Sequence, residues 1–136
     1  MSLPAKNRKN SRETQSPKPR IVSLSPSKTA ITRRVAKFYG FRNLDALYSS
    51  SRKPKFAHPR QVAMKIMRDV LGASYPDIGA HFGKDHTTAM HGVRVVEKRL
   101  LEDEDFAVEF VAVSAEASRK ATRFVVSHDQ VREGVL

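Results

Sequence analysis

The sequence contains no cysteine, and none of its apolar runs approaches the ~20 residues that a membrane-spanning helix requires. The missing cysteines exclude a disulfide framework and thiolate chemistry. The N-terminus is basic, but no apolar stretch follows it, so it lacks the pattern of a secretory signal. With 136 residues, the chain is expected to form one domain with tails, located in the cytoplasm.

Acidic residues are also scarce, with 14 Asp and Glu against 25 Lys and Arg, which gives a formal net charge of +11. This balance suits a polyanionic partner such as DNA, RNA or an acidic membrane surface. Residues 21–100 carry fifteen basic and five acidic side chains, whereas residues 101–136 carry four and eight. We therefore expect the binding surface within residues 21–100, with the acidic end facing away from a nucleic acid.

Residues 1–26 combine Lys, Arg, Ser, Asn and Pro with few large apolar side chains. Such a segment cannot bury enough surface to offset the entropy lost on ordering. We predict a disordered basic arm here. Two uses of the arm remain open, one as a solubilising tail and one as a source of non-specific contacts to phosphates.

Apolar residues recur at helical spacing through residues 27–120, which predicts an all-α fold, a compact helical bundle. The predicted helices cover residues 27–39, 44–48, 59–71, 75–82, 86–101 and 103–120. In the first helix, Ile31, Val35 and Phe38 are expected to face the core.

The third helix is expected to begin at Pro59, because proline suits the first turn of a helix. Arg60 is predicted to lie outside the apolar face of this helix. Residues 49–55 should form a polar, basic loop ahead of it, in which Pro54 prevents one long helix. Residues 121–136 remain open between a strand and a docked tail.

The stretch F-G-K-D-H-T-T-A-M-H, residues 82–91, has the pattern of a tight turn that leads into a helix. Gly83 can take a positive φ, and Asp85 is a strong N-cap residue. The apolar stripe that follows consists of Ala89, Val93, Val96 and Leu100. This helix buries one face and offers solvent a polar N-terminal tip, as a recognition helix in the DNA major groove does.

Three motifs, A-H-P-R-Q-V-A-M (57–64), Y-P-D-I-G-A-H-F-G (75–83) and D-H-T-T-A-M-H (85–91), give the chain a resemblance to a known family. Over residues 31–120 it resembles the C-terminal DNA-binding domain of the bacterial replication initiator DnaA. The resemblance implies a helical domain with a Trp-repressor-like helix-turn-helix. It also implies sequence-specific binding of double-stranded DNA at DnaA-box-like sites.

The resemblance further implies that the Asp-His-Thr-Thr group reads base edges and that Arg52 enters the minor groove. The DNA-binding residues predicted in this way are Arg52, Lys53, Arg60, Gln61, Arg68, Tyr75, Pro76, Lys84, Asp85, His86, Thr87, Thr88 and His91. Two features depart from the family pattern. Tyr75 replaces an aliphatic residue, and the turn F-G-K-D-H is one residue shorter than usual.

The sequence has no G-x-x-x-x-G-K-[ST] phosphate loop. We therefore expect no bound nucleotide. We also expect no cofactor, no enzymatic activity and no membrane partner. The expected partners are double-stranded DNA and, through the C-terminal region, a protein or a second copy of the chain. A nucleoid-associated regulator of replication initiation and a transcription regulator both fit. The alternative is a basic protein that binds RNA or DNA without sequence preference.

Two rival patterns are weaker. His81, Asp85, His86 and His91 suggest metal ligation, but His86 and His91 are five residues apart, about 140° round a helix, unlike the i, i+4 pair of a zinc helix. The segment 25–28 matches S-x-x-K of serine acylases without a second motif. We expect the histidines to be satisfied internally or to face DNA.

Overall fold

The computed structural model describes the backbone of residues 20–125 and the side chains of residues 24–120. The chain divides into two units, of which residues 25–121 form the helical one. Strands β1 (Arg20–Leu24) and β2 (Ala121–Val125) pair in a two-stranded sheet. Both strands are rich in β-branched or aromatic residues, which favour extended backbone.

The strands revise two predictions about the ends of the chain. The disordered arm was predicted to reach residue 26, but β1 occupies residues 20–24, and residues 1–19 lie outside the described part. The open choice for residues 121–136 resolves to a strand as far as Val125, and residues 126–136 also lie outside it.

Six α-helices make up the helical unit, and they confirm the predicted all-α bundle. Their bounds are α1 (Lys28–Phe38), α2 (Asp45–Tyr48), α3 (Pro54–Leu71), α4 (Tyr75–His81), α5 (His86–Glu102) and α6 (Glu104–Ala117). Among the residues that the structure describes, no helix has the length and apolar character to cross a membrane.

Side-chain caps begin four of these helices. The side chains of Ser27, Ser74, Asp85 and Asp103 each accept a hydrogen bond from a backbone N–H three residues further on, at 2.9–3.2 Å. These contacts satisfy donors that have no partner within the helix. The short helix α2 begins one residue later than expected, with Leu44 as its N-cap.

Helix α3 begins at Pro54, so the predicted start at Pro59 was wrong. The N–H groups of Phe56 and Ala57 donate to the carbonyl of Lys53 at 2.9 and 2.8 Å, which closes the first turn. Pro54 occupies the first helical position, where the missing N–H costs little. Pro59 lies inside the helix and is buried, and there its ring removes one helical hydrogen bond.

The core collects the apolar faces of all six helices. Its buried side chains include Ile31, Val35, Leu47, Val62, Ile66, Met67, Ile78, Val93, Val96, Phe106 and Val113. Phe38 was expected among them but is 41% exposed. It lies on the rim at the end of α1, where its ring packs edge-on against Tyr39 with centroids 5.3 Å apart.

Two close backbone approaches fix α5 within the unit. A Cβ at Gly79 would lie 2.6 Å from the carbonyl oxygen of Asp85, so α4 and the turn meet without room for a side chain. At Gly92, a Cβ would lie 2.7 Å from Sδ of Met64, so α5 crosses α3 at close range. Gly83 takes φ 68° as predicted. The helix-turn-helix, α4 followed by α5, is therefore held tightly against α3.

Candidate nucleic-acid interface

A cleft of about 690 Å³ opens between the loop that follows α2, the start of α3 and the first turns of α5. The residues that line this loop–helix cleft are Ser50, Arg52, Ala57, Arg60, Gln61, Lys84, Thr87, Thr88 and His91. Seven of the thirteen predicted DNA-binding residues are among them, although they come from three separate segments of the chain. The lining contains basic side chains and no carboxylate, so the cleft suits an anion.

The tip of α5 is organised by Asp85. Its Oδ1 atom accepts hydrogen bonds from the backbone N–H of Thr88 at 2.9 Å and from the hydroxyl of Thr87 at 2.7 Å. These two hydrogen bonds, with the backbone one contributing most, lower the pKa of Asp85 to about 2. The carboxylate is therefore ionised at neutral pH. His86, Thr87 and Thr88 are exposed around it.

Arg60 is buried, which corrects the prediction that it lies outside the apolar face of its helix. Its side chain is only 6% exposed. The guanidinium donates to the carbonyl oxygens of Leu47 at 2.7 Å, Ser49 at 2.7 Å and Ser51 at 3.2 Å. Burial lowers the pKa of Arg60. The sequence pattern missed this role, because backbone carbonyls at the end of α2 and in the loop after it need donors and draw the side chain inwards.

The hydrogen bonds of the Arg60 guanidinium to Ser49 and Ser51 hold the loop that carries Arg52. It is braced further by the hydroxyls of Ser49 and Ser51, which accept from the N–H groups of Ser51 and Lys53 at 3.4 and 3.2 Å. Arg52 and Lys53 themselves are exposed. The structure thus presents Arg52 on a fixed loop, and Arg60 acts as a positioning residue for it.

Arg68, Tyr75 and Pro76 form a second group at the turn between α3 and α4, and they do not line the loop–helix cleft. Arg68 donates to the carbonyl of Ala73 at 2.8 Å, and its guanidinium carbon lies 4.3 Å from the centroid of the Tyr75 ring. An aliphatic residue cannot offer this cation–π contact. Tyr75, which replaces the usual aliphatic residue, therefore provides an aromatic ring on which the Arg68 guanidinium packs.

His81 lies inside the helical unit, whereas His86 and His91 are exposed. Nε2 of His81 lies 3.0 Å from the Thr32 hydroxyl and 2.9 Å from the Tyr48 hydroxyl. Burial is the main cause that lowers the pKa of His81. His86 and His91 are exposed at the tip of α5 and in the cleft. Within residues 24–120, no three His, Asp or Glu side chains are grouped so as to hold a metal ion.

Comparisons with known proteins agree with this geometry. A family model described as the bacterial DnaA protein helix-turn-helix matches residues 29–96. The chromosomal replication initiator protein DnaA of Neisseria meningitidis serogroup C is 43% identical over 77 residues, which cover 56% of this chain and 15% of that protein. The DnaA of Ruegeria sp. strain TM1040 is 41% identical over 90 residues, which cover 64% and 19%.

A solved structure is also similar, that of the replication initiator DnaA bound to AMPPCP and single-stranded DNA. The two structures superpose with a TM-score of 0.51, and their sequences are 25% identical. The match covers 82% of this chain and 31% of the DnaA chain. The chain spans less than a fifth of the length of the curated relatives named above.

The family match covers 68 of the 136 residues, which is half of the chain. It extends from α1 into α5 and contains the whole loop–helix cleft, the α3–α4 turn and the tip of α5. The chain belongs to the family of the bacterial DnaA helix-turn-helix domain.

Proposed function

We propose that this protein binds double-stranded DNA with sequence specificity, at DnaA-box-like sites, and so regulates replication initiation or transcription. The observation that carries the proposal is the loop–helix cleft. It joins the Arg52 loop to the first turns of α5 in one surface whose lining is basic, with the Asp85 carboxylate beside it at the tip of the helix. A protein that recognises the sequence of duplex DNA needs a structural element that enters the major groove. It also needs cationic contacts that position this element on the DNA.

The tip of α5 is the element for the major groove, whose width of about 12 Å admits one α-helix. The ionised carboxylate of Asp85 can accept from the N4 amino group of cytosine, and the methyl group of Thr88 can pack on a thymine methyl. Because both internal hydrogen bonds of Asp85 use Oδ1, they leave Oδ2 for a base. His86 and Thr87 complete the tip.

Arg52 is the element for the minor groove. Narrow A/T-rich minor grooves have an enhanced negative potential that attracts arginine. Lys53, Lys84 and His91 surround the same surface, and Gln61 offers an amide to the groove wall. Arg68, whose guanidinium packs on Tyr75, contacts a phosphate in this proposal, with Pro76 beside it. Such phosphate contacts set orientation but carry no sequence information.

Selection from a random duplex library followed by fluorescence anisotropy tests the proposal. We expect one enriched sequence, bound more tightly than a scrambled duplex of the same composition, with no nucleotide in the buffer. Equal affinity for all duplexes would contradict sequence specificity and favour the alternative, a basic protein that binds nucleic acid without preference. A strict requirement for ATP would also contradict the proposal.

The salt dependence of DNA binding distinguishes the role of Arg52 from that of Arg68. Replacing Arg52 with alanine should weaken binding to A/T-rich sites by about 1–3 kcal/mol and relax preference there. Replacing Arg68 with alanine should weaken all sequences evenly and reduce the slope of log affinity against log salt by about 0.9. Identical behaviour of the two variants would refute this assignment.

Replication and transcription roles are distinguished by genome-wide occupancy in the native host. Enrichment at a replication origin would support a modulator that competes for initiator sites. Enrichment at promoters, with none at the origin, would support a transcription regulator.

A further inference from the structure

Helix α6 has two opposite apolar faces, of which the bundle covers only one. Its buried face consists of Phe106, Phe110, Val113 and Ala117. On the other side, Val108 and Val111 are 72% and 69% exposed, and Ala112 and Ala115 are exposed beside them. Because residues spaced by three or four share a face, these four residues form one continuous stripe. A surface helix normally has charged or polar residues there.

The ends of this helix carry opposite charges. Glu104 and Asp105 lie in its first turn, whereas Arg119 and Lys120 follow the C-cap residue Ser118. The nearby acid Glu116 pairs with Arg119 at 2.6 Å, but both side chains remain more than half exposed. A helix that is acidic at its start and basic at its end attracts a second copy of itself in the antiparallel direction.

We propose that α6 is a dimerisation helix, which packs antiparallel against α6 of a second copy through the Val108–Ala115 stripe. The two-fold axis passes between Val111 and Ala112. This alignment sets Val108 against Ala115 of the second copy, and Val111 against Ala112. Each contact thus pairs a large side chain with a small one, which lets the helices interdigitate.

The same alignment brings the opposite charges together. With the axis between residues 111 and 112, Glu104 faces Arg119 of the second copy at both ends of the interface. Symmetric contacts of this kind, in which residue i meets j and j meets i, are what a two-fold dimer requires. Because exposed ion pairs contribute little free energy, these pairs fix the direction and register while the valines supply the affinity.

None of the four residues of the Val108–Ala115 stripe lines the loop–helix cleft. The tip of α5 at His86 and the start of α6 at Glu104 stand at opposite ends of α5. This helix has 17 residues and is therefore about 25 Å long. Each dimer thus carries two α5 tips. The proposal rests on α6 alone and does not depend on the function proposed for the cleft.

Sedimentation equilibrium of the full chain without DNA tests the interface. One stripe of this size is expected to give a reversible dimer, so the average mass should rise with concentration up to about 0.1 mM. Replacing Val111 with glutamate should weaken the dimer at least about tenfold. The matched control is Val95→Glu, which puts the same charge on an exposed valine of α5 and should dimerise like the wild type.

Charge reversal tests the register. Glu104→Arg and Arg119→Glu should each weaken the dimer, and the double variant should restore it, because the pair is then re-formed with its signs exchanged. Circular dichroism of each variant establishes that the helices remain folded. A wild-type chain that keeps the mass of a monomer at about 0.1 mM would overturn the proposal. A double variant weaker than both single variants would overturn the antiparallel register.

Discussion

Replacing Arg60 with alanine separates two roles that the residue can have in DNA binding. As a phosphate contact, Arg60 would act independently of Arg52. As a positioning residue, it acts through the loop that carries Arg52. The structure favours the second role, because the guanidinium is buried and donates to the carbonyls of Leu47, Ser49 and Ser51.

The expected loss of stability follows from those three acceptors. A buried acceptor that loses its partner costs about 1–3 kcal/mol. Ser49 and Ser51 are only half-buried, so water can replace part of what they lose, whereas Leu47 is fully buried. We therefore expect Arg60→Ala to lower the free energy of unfolding by about 2–4 kcal/mol. The domain should stay folded at 25 °C, with a melting temperature lower by about 10–20 °C.

A double-mutant cycle supplies the decisive assay. Arg52→Ala, Arg60→Ala and the double variant are titrated with the selected duplex at a temperature where thermal melts show all three folded. If Arg60 only positions Arg52, then Arg52→Ala has a large effect in the wild type and almost none in the Arg60→Ala background. The control pair is Arg52→Ala with Arg68→Ala, whose effects should add, because Arg68 belongs to the α3–α4 turn.

Two results would refute the positioning role. One is additivity of the Arg52 and Arg60 substitutions. The other is an unchanged melting temperature in Arg60→Ala together with a salt slope reduced by about 0.9, which is the behaviour of a phosphate contact.

Three further predictions concern the turn, the tip of α5 and the half-buried His81. Asp85→Asn keeps an oxygen that can cap the helix and adds an amide donor, so the melting temperature should hold while the base preferred at one position changes in library selection. Gly79→Ala sets a Cβ against the turn backbone and should cost about 3 kcal/mol in urea denaturation, although alanine is the better helix former. Burial lowers the pKa of His81, so the unfolded chain binds more protons near pH 6 and stability should fall as pH decreases below about 6.5. His81→Gln should flatten that dependence, and an unchanged slope would contradict it.

The local features of the fold were predictable because neighbouring residues determine them. The cap at Asp85 and the positive φ of Gly83 were predicted from single residue types with one strong conformational preference, and both are confirmed. The apolar stripes of α3 and α5 followed from spacing alone. The segments around Arg52 and Thr88, which were predicted to belong to one site, meet in one cleft, and their role in DNA binding stays a prediction.

The wrong predictions concern residues whose positions depend on packing with other parts of the chain. Arg60 appeared to be a surface cation, but the loop carbonyls that it satisfies are 9 to 13 residues away in sequence. Pro59 appeared to start a helix, but Pro54 fits that position better, and tertiary packing tolerates a proline in the interior. Phe38 matched the spacing of a buried face, yet α1 ends there and leaves the ring at the rim.

Arg60 and Gly92 connect the Arg52 loop and helix α5 to the same helix, α3. The Arg52 loop is fastened to α3 through the guanidinium of Arg60, and α5 presses against α3 where Gly92 meets Met64. The distance between the Arg52 loop and the tip of α5, which are proposed to contact the minor and the major groove, is therefore set by α3. On DNA, one inserted base pair shifts the far contact by about 3.4 Å and rotates it by about a tenth of a turn. Under the proposed function, the protein would therefore recognise the spacing within its site as well as the bases, and a site lengthened by one base pair would engage only one of the two elements.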